Sequence, residues 1–249
     1  MKMEVEKKYI ENQQDEKIAA VIHKPNQEQK GVLLLQHGLF SNKEGSWERR
    51  AETFAEKGFK AIRFDRRGYG ESDREFQDFN LTTGIEDTIT VLDHQEENGE
   101  ENFAIYGSSF GGLIGIHAAA QDSRISSLGL RAPATFTSEI FSDIEKTVLK
   151  EGEISLEDEM EGAFMDKSFF EALEKYDAIE AAEEIDVPTI IFHGTKDDVV
   201  PIEDSKKFYQ LLETKKEFHE ISGEGHVFST EKDNEVLKKA SDWFAETIS

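Results

Sequence analysis

Residues 107–111 read Gly-Ser-Ser-Phe-Gly and constrain the fold of this chain more than any other stretch. A short apolar run at 102–106 precedes them, and residues 112–120 suit a buried helix. A G-x-S-x-G sequence between a strand and a helix predicts a tight turn that lifts the central serine clear of the sheet, at a backbone cost of about 1–3 kcal/mol. The flanking glycines are needed because a side chain there would strike the packed strand or helix. The central residue is Ser109, which is therefore the candidate nucleophile.

A serine at such a turn needs two partners before it can react. Its hydroxyl is a poor nucleophile until a histidine takes the proton, and that histidine needs a carboxylate to hold its orientation. Downstream, residues 187–194 have the pattern of a buried strand ending in a glycine, and the loop after it contains Asp197 and Asp198. A carboxylate just beyond the carboxyl end of a parallel strand lies where sites form in open α/β sheets. Either aspartate is therefore a candidate for the acid.

Four histidines follow Ser109 in the chain, and their positions separate them. His117 falls inside the helix after the turn, His193 ends a predicted strand, and His219 lies within another, so packing explains these three. His226 lies in a loop between the last predicted strand and the final helix, at the same edge of the sheet as the serine. We therefore expect His226 to be the base.

The first core strand is followed by a loop that suits an oxyanion hole. The apolar run at 31–36 leads into His37-Gly38-Leu39-Phe40-Ser41. A tetrahedral intermediate needs two fixed N–H donors, one from the residue after the nucleophile and one from the loop after an earlier strand. We expect these donors to be Phe110 and Leu39, with Phe40 as the alternative to Leu39.

Several motifs together resemble the α/β-hydrolase superfamily, most closely its short-chain esterase and feruloyl/cinnamoyl-esterase-like branch. They are residues 37–44, 64–72, 107–112, 194–201 and 225–226, in the family's order over nearly the whole chain. The resemblance implies an α/β-hydrolase fold with a Ser-His-Asp triad. In that family a G-x-x-D-x-V-V-P loop carries the acid at its first aspartate, which implies Asp197, with Asp198 as the alternative register. These motifs do not specify the substrate, because peptidases, thioesterases and lipases share them.

The remaining pattern predicts one domain with an insertion. The 249 residues suit a single α/β domain, 1–249, in which two antiparallel strands precede alternating strands and helices. Such alternation gives a mostly parallel sheet with helices on both faces. Residues 134–187 interrupt it where many α/β-hydrolases carry a cap, so we expect a small helical cap over Ser109. Apolar residues recur there at helical spacing, in one stripe of Phe136, Ile140, Ile144 and Val148 and another of Leu156, Met160 and Phe164. We expect Phe40, Phe136 and Phe164 to line the substrate pocket.

Charge and composition exclude several classes of function. The chain has 53 acidic and 29 basic residues, a formal net charge of −24, and residues 134–187 alone hold 17 acidic residues against 4 lysines, a net of −13. This argues against nucleic acid and anionic membranes as partners and disfavours polyanionic substrates; solubility or adaptation to salt explains the charge equally well. The absence of cysteine excludes disulfides, thiolate metal sites and a cysteine nucleophile. The first eight residues lack an apolar signal core, so we expect a cytoplasmic protein without metal or cofactor.

These observations lead us to expect a serine carboxylesterase that hydrolyses small neutral esters, with short acyl or aryl groups, through an acyl-enzyme intermediate. The alternatives are a thioesterase, an aminopeptidase-like hydrolase, and a low-turnover ligand-binding protein on the same fold. Aminopeptidase-like relatives usually carry a large N-terminal domain, and only about thirty residues precede the first core strand here. A complete Ser-Asp-His set favours an enzyme over a receptor. The expected partner is a small-molecule ester, and a homodimer is left open.

Overall fold

The computed structural model describes residues 3–248. The strands are β1 (Glu4–Glu11), β2 (Lys17–Lys24), β3 (Gly31–Gln36), β4 (Phe59–Phe64), β5 (Phe103–Ser108), β6 (Ile125–Arg131), β7 (Glu153–Ser155), β8 (Phe164–Asp166), β9 (Thr189–Gly194) and β10 (Lys216–Ile221). The α-helices are α1 (Ser46–Glu56), α2 (Leu81–Glu97), α3 (Phe110–Gln121), α4 (Thr137–Ile140), α5 (Ser142–Glu151), α6 (Lys167–Leu173), α7 (Ala178–Glu184), α8 (Ile202–Leu211) and α9 (Thr230–Thr247). A 3₁₀ turn covers Phe76–Asp78.

One large sheet organises the molecule. Across residues 3–248 its strand order is β1-β2-β4-β3-β5-β6-β9-β10. The β1–β2 and β2–β4 pairs are antiparallel, and every other neighbouring pair in this sheet is parallel. Strands β3, β4 and β5 are buried along their whole length, as a parallel sheet covered on both faces requires. The mostly parallel α/β sheet expected from the sequence is confirmed.

Two apolar layers cover the two faces of this sheet. Successive side chains of a strand point to opposite faces; on β5, Phe103 and Ile105 join one layer, whereas Ala104 and Tyr106 join the other. Helices α2 and α3 pack on the first face, and α1 and α9 pack on the second. Because the parallel strands run in the same direction, their carboxyl ends meet at one edge. The loops after β3, β5 and β9 therefore converge there.

The insertion at 134–187 is partly helical, and one of its two predicted helical stripes is wrong. The stripe that begins at Phe136 continues through α4 and α5, which are separated at Phe141. The stripe of Leu156, Met160 and Phe164 does not form a helix, because β7 and β8 pair as an antiparallel hairpin with Ser155 opposite Phe164. Its turn is closed by a hydrogen bond of 2.8 Å from the Leu156 N–H to the Ala163 carbonyl. Strand pairing satisfies the backbone here and overrides the helical spacing of the apolar residues.

A buried ion pair joins the first and last helices on the second face of the sheet. The carboxylate of Asp233 on α9, with 1% of its side chain exposed, accepts hydrogen bonds from Arg50 Nε at 3.0 Å and Nη2 at 3.2 Å, and a further one from Arg49. Burial alone would raise the pKa of Asp233, but the guanidinium groups of Arg50, Arg131 and Arg49 together outweigh burial and hold that pKa below its ordinary value. The charge of Asp233 thus stabilises the folded state.

We predict that Asp233→Asn lowers the free energy of unfolding at pH 7 by about 3 kcal/mol, because it leaves two guanidinium groups without their buried counter-charge. Asp242→Asn is the matched control: it makes the same change on the same helix at an exposed position, and it should cost less than about 0.5 kcal/mol. Urea denaturation of the two variants and the parent chain measures both values. Equal losses for the two variants would contradict the structural role of the pair.

Candidate active site

Ser109 lies at the junction of β5 and α3 in a strained backbone conformation, with φ 53° and ψ −124°. Two neighbouring glycines permit the close approach of the elements around it. A Cβ on Gly111 would lie 2.3 Å from the carbonyl oxygen of His37, and a Cβ on Gly107 would lie 2.5 Å from that of Gly111. Such distances are far inside van der Waals contact, so no side chain fits at either position. The structure therefore gives the strand, turn and helix that the G-x-S-x-G sequence predicts.

The last residue of β6 and the segment after it hold Ser109 from the side of the insertion. The Ser109 N–H donates to the Arg131 carbonyl at 3.0 Å, and the Ser109 carbonyl accepts from the Ala134 N–H at 3.2 Å. The buried side chain of Arg131 reaches the other way, and its Nη1 donates to the carbonyl of His226 at 2.9 Å. Arg131 thus connects the serine turn with the histidine loop. Sequence reasoning did not single out Arg131, whose only signal is a charged residue at the end of a buried strand.

The loops after β9 and β10 bring Asp197 and His226 together. His226 Nδ1 lies 2.8 Å from Asp197 Oδ2, and the carboxylate, with none of its side chain exposed, accepts backbone N–H bonds from Val199 and Val200 at 2.9 Å each. Since the carboxylate can only accept, Nδ1 donates and Nε2 of a neutral His226 can accept a proton. Asp198 is exposed, so the geometry favours Asp197 over the alternative register.

His193 packs against the same carboxylate on its buried side. Its Nε2 lies 3.2 Å from Asp197 Oδ2 and 2.9 Å from the Val200 carbonyl oxygen, and its Nδ1 lies 2.8 Å from Ser205 Oγ. Both neighbours of Nε2 are acceptors, so Nε2 carries the proton and Nδ1 of the neutral ring accepts from Ser205. The interpretation of His193 as a packed histidine at a strand end missed this contact, although its position four residues before Asp197 hinted at it.

The hydrogen bonds around Asp197 decide its charge. Burial alone would raise the pKa of this carboxyl group, but the donors His193, His226 and the Val200 N–H outweigh it and hold the pKa of Asp197 well below its ordinary value. The group is therefore a carboxylate throughout the neutral range. A fixed negative charge at this point can orient the His226 ring and stabilise its protonated form.

The two expected oxyanion donors are Phe110, which directly follows Ser109, and Leu39, which directly follows Gly38. Within residues 3–248, the N–H groups of Leu39 and Phe110 donate to no backbone or side-chain acceptor. Gly38 lies beside the serine, since a Cβ placed on it would be 3.8 Å from Ser109 Oγ. Phe40, the alternative donor, has a left-handed φ of 55°. Free N–H groups beside the serine fit the expected hole.

A buried arginine shapes the loop that carries Leu39. Arg66, which is fully buried, donates from Nη1 to the His37 carbonyl at 2.7 Å and from Nη2 to the Gly38 carbonyl at 3.1 Å. Its guanidinium carbon lies 5.1 Å from the centre of the Tyr69 ring, within cation–π range. These bonds hold both carbonyls toward Arg66. Arg66 belongs to a motif that carried the family resemblance, but the sequence gave it no role.

A second buried charge fixes the next turn of this loop. Asp65, with no exposed side chain, accepts from the Lys43 N–H at 2.7 Å and from Lys43 Nζ at 2.8 Å. Burial alone would lower the pKa of Lys43, but Asp65 and Glu71 raise it above its ordinary value, so the ammonium stays charged. The two residues that directly follow β4, Asp65 and Arg66, thus anchor both ends of the loop after β3.

The three expected pocket residues have different neighbours. Phe136 lines a cavity of about 280 Å³ at the insertion. Phe40 lies away from this cavity and packs on Phe76 with ring centres 5.7 Å apart, and Phe164 begins strand β8. Two aromatic residues that the pocket prediction did not include, Phe141 and Phe169, pack against Phe110 with ring centres 6.3 Å and 5.6 Å away. The insertion therefore contacts the residue that follows the candidate nucleophile.

Among residues 3–248, no group of three or more histidine, aspartate or glutamate side chains is arranged to hold a metal ion. In the same part of the chain, no helix is both long and apolar enough to cross a membrane.

Comparison with known sequences places these features in a family. A model of the prolyl oligopeptidase family matches residues 46–249. YfhR of Escherichia coli O157:H7 is 24% identical over 213 residues, which cover 86% of this chain and 64% of that protein. The mitochondrial palmitoyl-protein thioesterase ABHD10 of Mus musculus is 28% identical over 181 residues, covering 69% of this chain and 60% of that protein. The chain thus spans less than two thirds of the length of these curated relatives.

Solved structures show the same fold. Est1E from Butyrivibrio proteoclasticus, with ferulic acid bound, superimposes with a TM-score of 0.82 at 23% identity and covers 96% of both chains. Mouse ABHD10 superimposes with a TM-score of 0.82 at 20% identity, covering 97% of this chain and 99% of that one. The resemblance to the α/β-hydrolase superfamily is confirmed, and the comparisons support the expected class of serine hydrolase.

We predict that Asp197→Asn lowers the free energy of unfolding at pH 7 by about 2 kcal/mol. Because its pKa is depressed in the folded state, Asp197 stabilises the protein above its unfolded pKa near 4, and this contribution is lost as pH falls through the folded pKa. The gap between parent and variant should therefore narrow below pH 4. Urea denaturation at pH 7 and pH 3.5 measures it. Asp198→Asn is the control and should change stability by less than about 0.5 kcal/mol; a larger loss for Asp198→Asn would reverse the assignment.

Proposed function

The chain belongs to the prolyl oligopeptidase family, and we propose that it is a serine hydrolase that cleaves carboxylic esters with Ser109, His226 and Asp197 as its catalytic triad. The observation that carries the proposal is the buried Asp197–His226 hydrogen bond of 2.8 Å at the sheet edge where Ser109 takes its strained turn. A strained backbone, an oriented imidazole and a low-pKa carboxylate have a common explanation in nucleophilic catalysis.

The first half-reaction transfers the acyl group to the serine. His226 Nε2 takes the proton of the Ser109 hydroxyl while Oγ attacks the carbonyl carbon of the ester. Asp197 keeps the proton on Nδ1 and stabilises the imidazolium that forms. The negative oxygen of the tetrahedral intermediate accepts hydrogen bonds from the N–H groups of Leu39 and Phe110. His226 then gives its proton to the leaving alcohol, and an acyl-enzyme remains.

The second half-reaction repeats these steps with water. His226 takes a proton from a water molecule, the hydroxide attacks the acyl-enzyme carbonyl, and the same two N–H groups hold the oxyanion. The proton returns to Ser109 Oγ when the acid leaves. Buried Arg66 and Arg131 hold the loops of the donors and the base in place through both steps, since they bond the carbonyls of His37, Gly38 and His226.

Small neutral esters are the proposed substrates. The similarity to Est1E, whose structure holds ferulic acid, supports an aryl or short acyl group. The insertion carries a net charge of −13 and packs on Phe110, so it raises the energy of an anionic substrate near the site. This effect is screened over about 8–10 Å at physiological ionic strength.

Thioester hydrolysis is the second candidate. The similarity to ABHD10, which is named a palmitoyl-protein thioesterase, favours it. The same triad cleaves either bond, because the carbonyl carbon is attacked in both and only the leaving atom differs. Rates on an acyl ester and on the thioester of the same acyl chain distinguish the two candidates.

We predict that Ser109→Ala lowers kcat/KM for 4-nitrophenyl butyrate by about 10⁴-fold or more and abolishes labelling by a fluorophosphonate. His226→Ala should be nearly as severe, and Asp197→Asn about 10- to 100-fold less so. Ser108→Ala, one residue before the nucleophile, is the control and should retain activity. A fluorophosphonate adduct on any other residue would overturn the assignment, and a parent chain with neither turnover nor labelling would favour a ligand-binding protein.

We predict that His193 acts as a positioning residue through Asp197. His193→Phe removes the Nε2–H donor and should lower kcat about tenfold, since a hydrogen bond to a charged group contributes about 1.5–3 kcal/mol. KM should change less than about twofold, because His193 lies behind Asp197 and away from the substrate. His193→Gln, which retains an N–H donor, should recover most of kcat. Equal losses in both variants, tracking their stability in urea, would indicate a packing role only.

A further inference from the structure

Two exposed valines lie beside the acid and the base of the candidate triad. Val227 directly follows His226 and is 77% exposed, and Val199 comes two residues after Asp197 and is 52% exposed. Single exposed apolar side chains are common on protein surfaces and need no explanation. Two of them beside one hydrogen-bonded acid–base pair are a different case, because a substrate must approach that pair.

Packing in the core does not account for either valine. In each loop the following residue has that role, since Val200 and Phe228 are both buried. The side chains of Val199 and Val227 remain in contact with water in spite of their apolar character. An apolar ligand that covers them would remove this surface from water, which is favourable.

Hydrogen bonds tie the two loops to the serine turn. His226 Nδ1 lies 2.8 Å from one oxygen of the Asp197 carboxylate, and the Val199 N–H donates to the other oxygen at 2.9 Å. The His226 carbonyl accepts from Arg131 Nη1 at 2.9 Å, and the Arg131 carbonyl accepts from the Ser109 N–H at 3.0 Å. The backbone next to both valines therefore belongs to the same bonded network as the candidate nucleophile.

The proposed mechanism fixes where the alcohol part of the ester must lie. His226 gives its proton to the leaving oxygen, so this oxygen comes within about 2.6–3.2 Å of Nε2. Because Nδ1 faces the buried Asp197 carboxylate, Nε2 lies on the opposite edge of a side chain that is 17% exposed. The carbon chain of the alcohol begins at the leaving oxygen and therefore lies beside the histidine loop, whereas the acyl chain begins at the carbonyl carbon that Ser109 attacks.

We propose that Val199 and Val227 bind the alcohol part of the substrate and select small neutral esters whose alcohol is apolar. The inference rests on the proposed esterase function and adds an alcohol specificity to it. Contact removes the two valine side chains and the carbon chain of the alcohol from water, and the gain grows with each methylene that is covered. The rate of acylation therefore rises with the length of the alcohol, independently of the acyl group.

Three esters separate the alcohol side from the acyl side. Ethyl butyrate is the reference, and the isomers hexyl butyrate and ethyl octanoate lengthen its alcohol or its acyl chain by the same number of methylenes. Proton release in a pH-stat measures the hydrolysis of all three, and kcat/KM includes acylation, the step in which the alcohol is still present. In the parent chain we expect kcat/KM for hexyl butyrate to exceed that for ethyl butyrate about tenfold, since contact from one side covers only part of each methylene.

The double variant Val199→Ser/Val227→Ser should lower the ratio of the hexyl butyrate to the ethyl butyrate value about fivefold and leave the ratio of ethyl octanoate to ethyl butyrate unchanged. Val5→Ser/Leu149→Ser is the matched control, because these residues are exposed to nearly the same extent on β1 and α5, and it should change neither ratio.

The outcomes separate this inference from the function on which it rests. Equal kcat/KM for hexyl and ethyl butyrate in the parent chain would overturn the apolar alcohol site and leave the esterase function standing. Equal losses in the two ratios, or the same loss in the control variant, would do so too. A parent chain that hydrolyses none of the three esters would overturn the esterase function, and the alcohol specificity with it.

Discussion

The backbone at Ser109 is the constraint on which the rest of the site depends. A non-glycine residue at φ 53° and ψ −124° stores strain of about 1–3 kcal/mol, and it persists only where the surroundings leave no alternative. Gly111 makes this tight packing possible, because the absence of a side chain lets the start of α3 approach the carbonyl of His37. The approach that holds the strain also brings the loop of Leu39 beside the serine. The turn of the candidate nucleophile and the loop of an expected oxyanion donor therefore depend on one packing arrangement.

Buried charges then fix the loops that packing alone leaves free. The chain has a net charge of −24, yet its site is held from inside by the guanidinium groups of Arg66 and Arg131. A buried charge is expensive unless it is bonded, and here the bonds go to the carbonyls of the loops that carry Leu39 and His226. Asp197 is the complementary anion, held by two histidines. The excess of acidic residues therefore sets the net charge of the chain, whereas the buried arginines hold the loops of the candidate site.

Aromatic side chains of the insertion pack directly against the candidate site. The rings of Phe141 and Phe169 pack on the ring of Phe110, so the insertion contacts the residue that directly follows Ser109. Phe141 also lines the cavity at the insertion that Phe136 lines.

Outside the insertion, the sequence by itself determined the order of the strands and helices, because apolar periodicity and glycine spacing are local properties. The G-x-S-x-G turn, the strand Lys17–Lys24, the helix Ser46–Glu56 and the strand Lys216–Ile221 could be predicted from those patterns alone. So could the choice of His226 and of an aspartate in the loop after β9, because a loop after a parallel strand must reach the same sheet edge as Ser109. The choice of Asp197 over Asp198 came from the family resemblance.

Only the tertiary structure decided which side chains meet across that edge. Arg66 and Arg131 gave no sequence signal beyond a charged residue in or after a buried strand, and their roles depend on loops distant in the chain. His193 lies only four residues before Asp197, but its spacing did not reveal that the two side chains meet. The hairpin of β7 and β8 formed where helical spacing predicted a helix, because pairing between strands satisfies the backbone in a way that spacing within one segment cannot reveal. Periodicity reports which face of an element is buried; what it is buried against follows from the contacts that the whole fold creates.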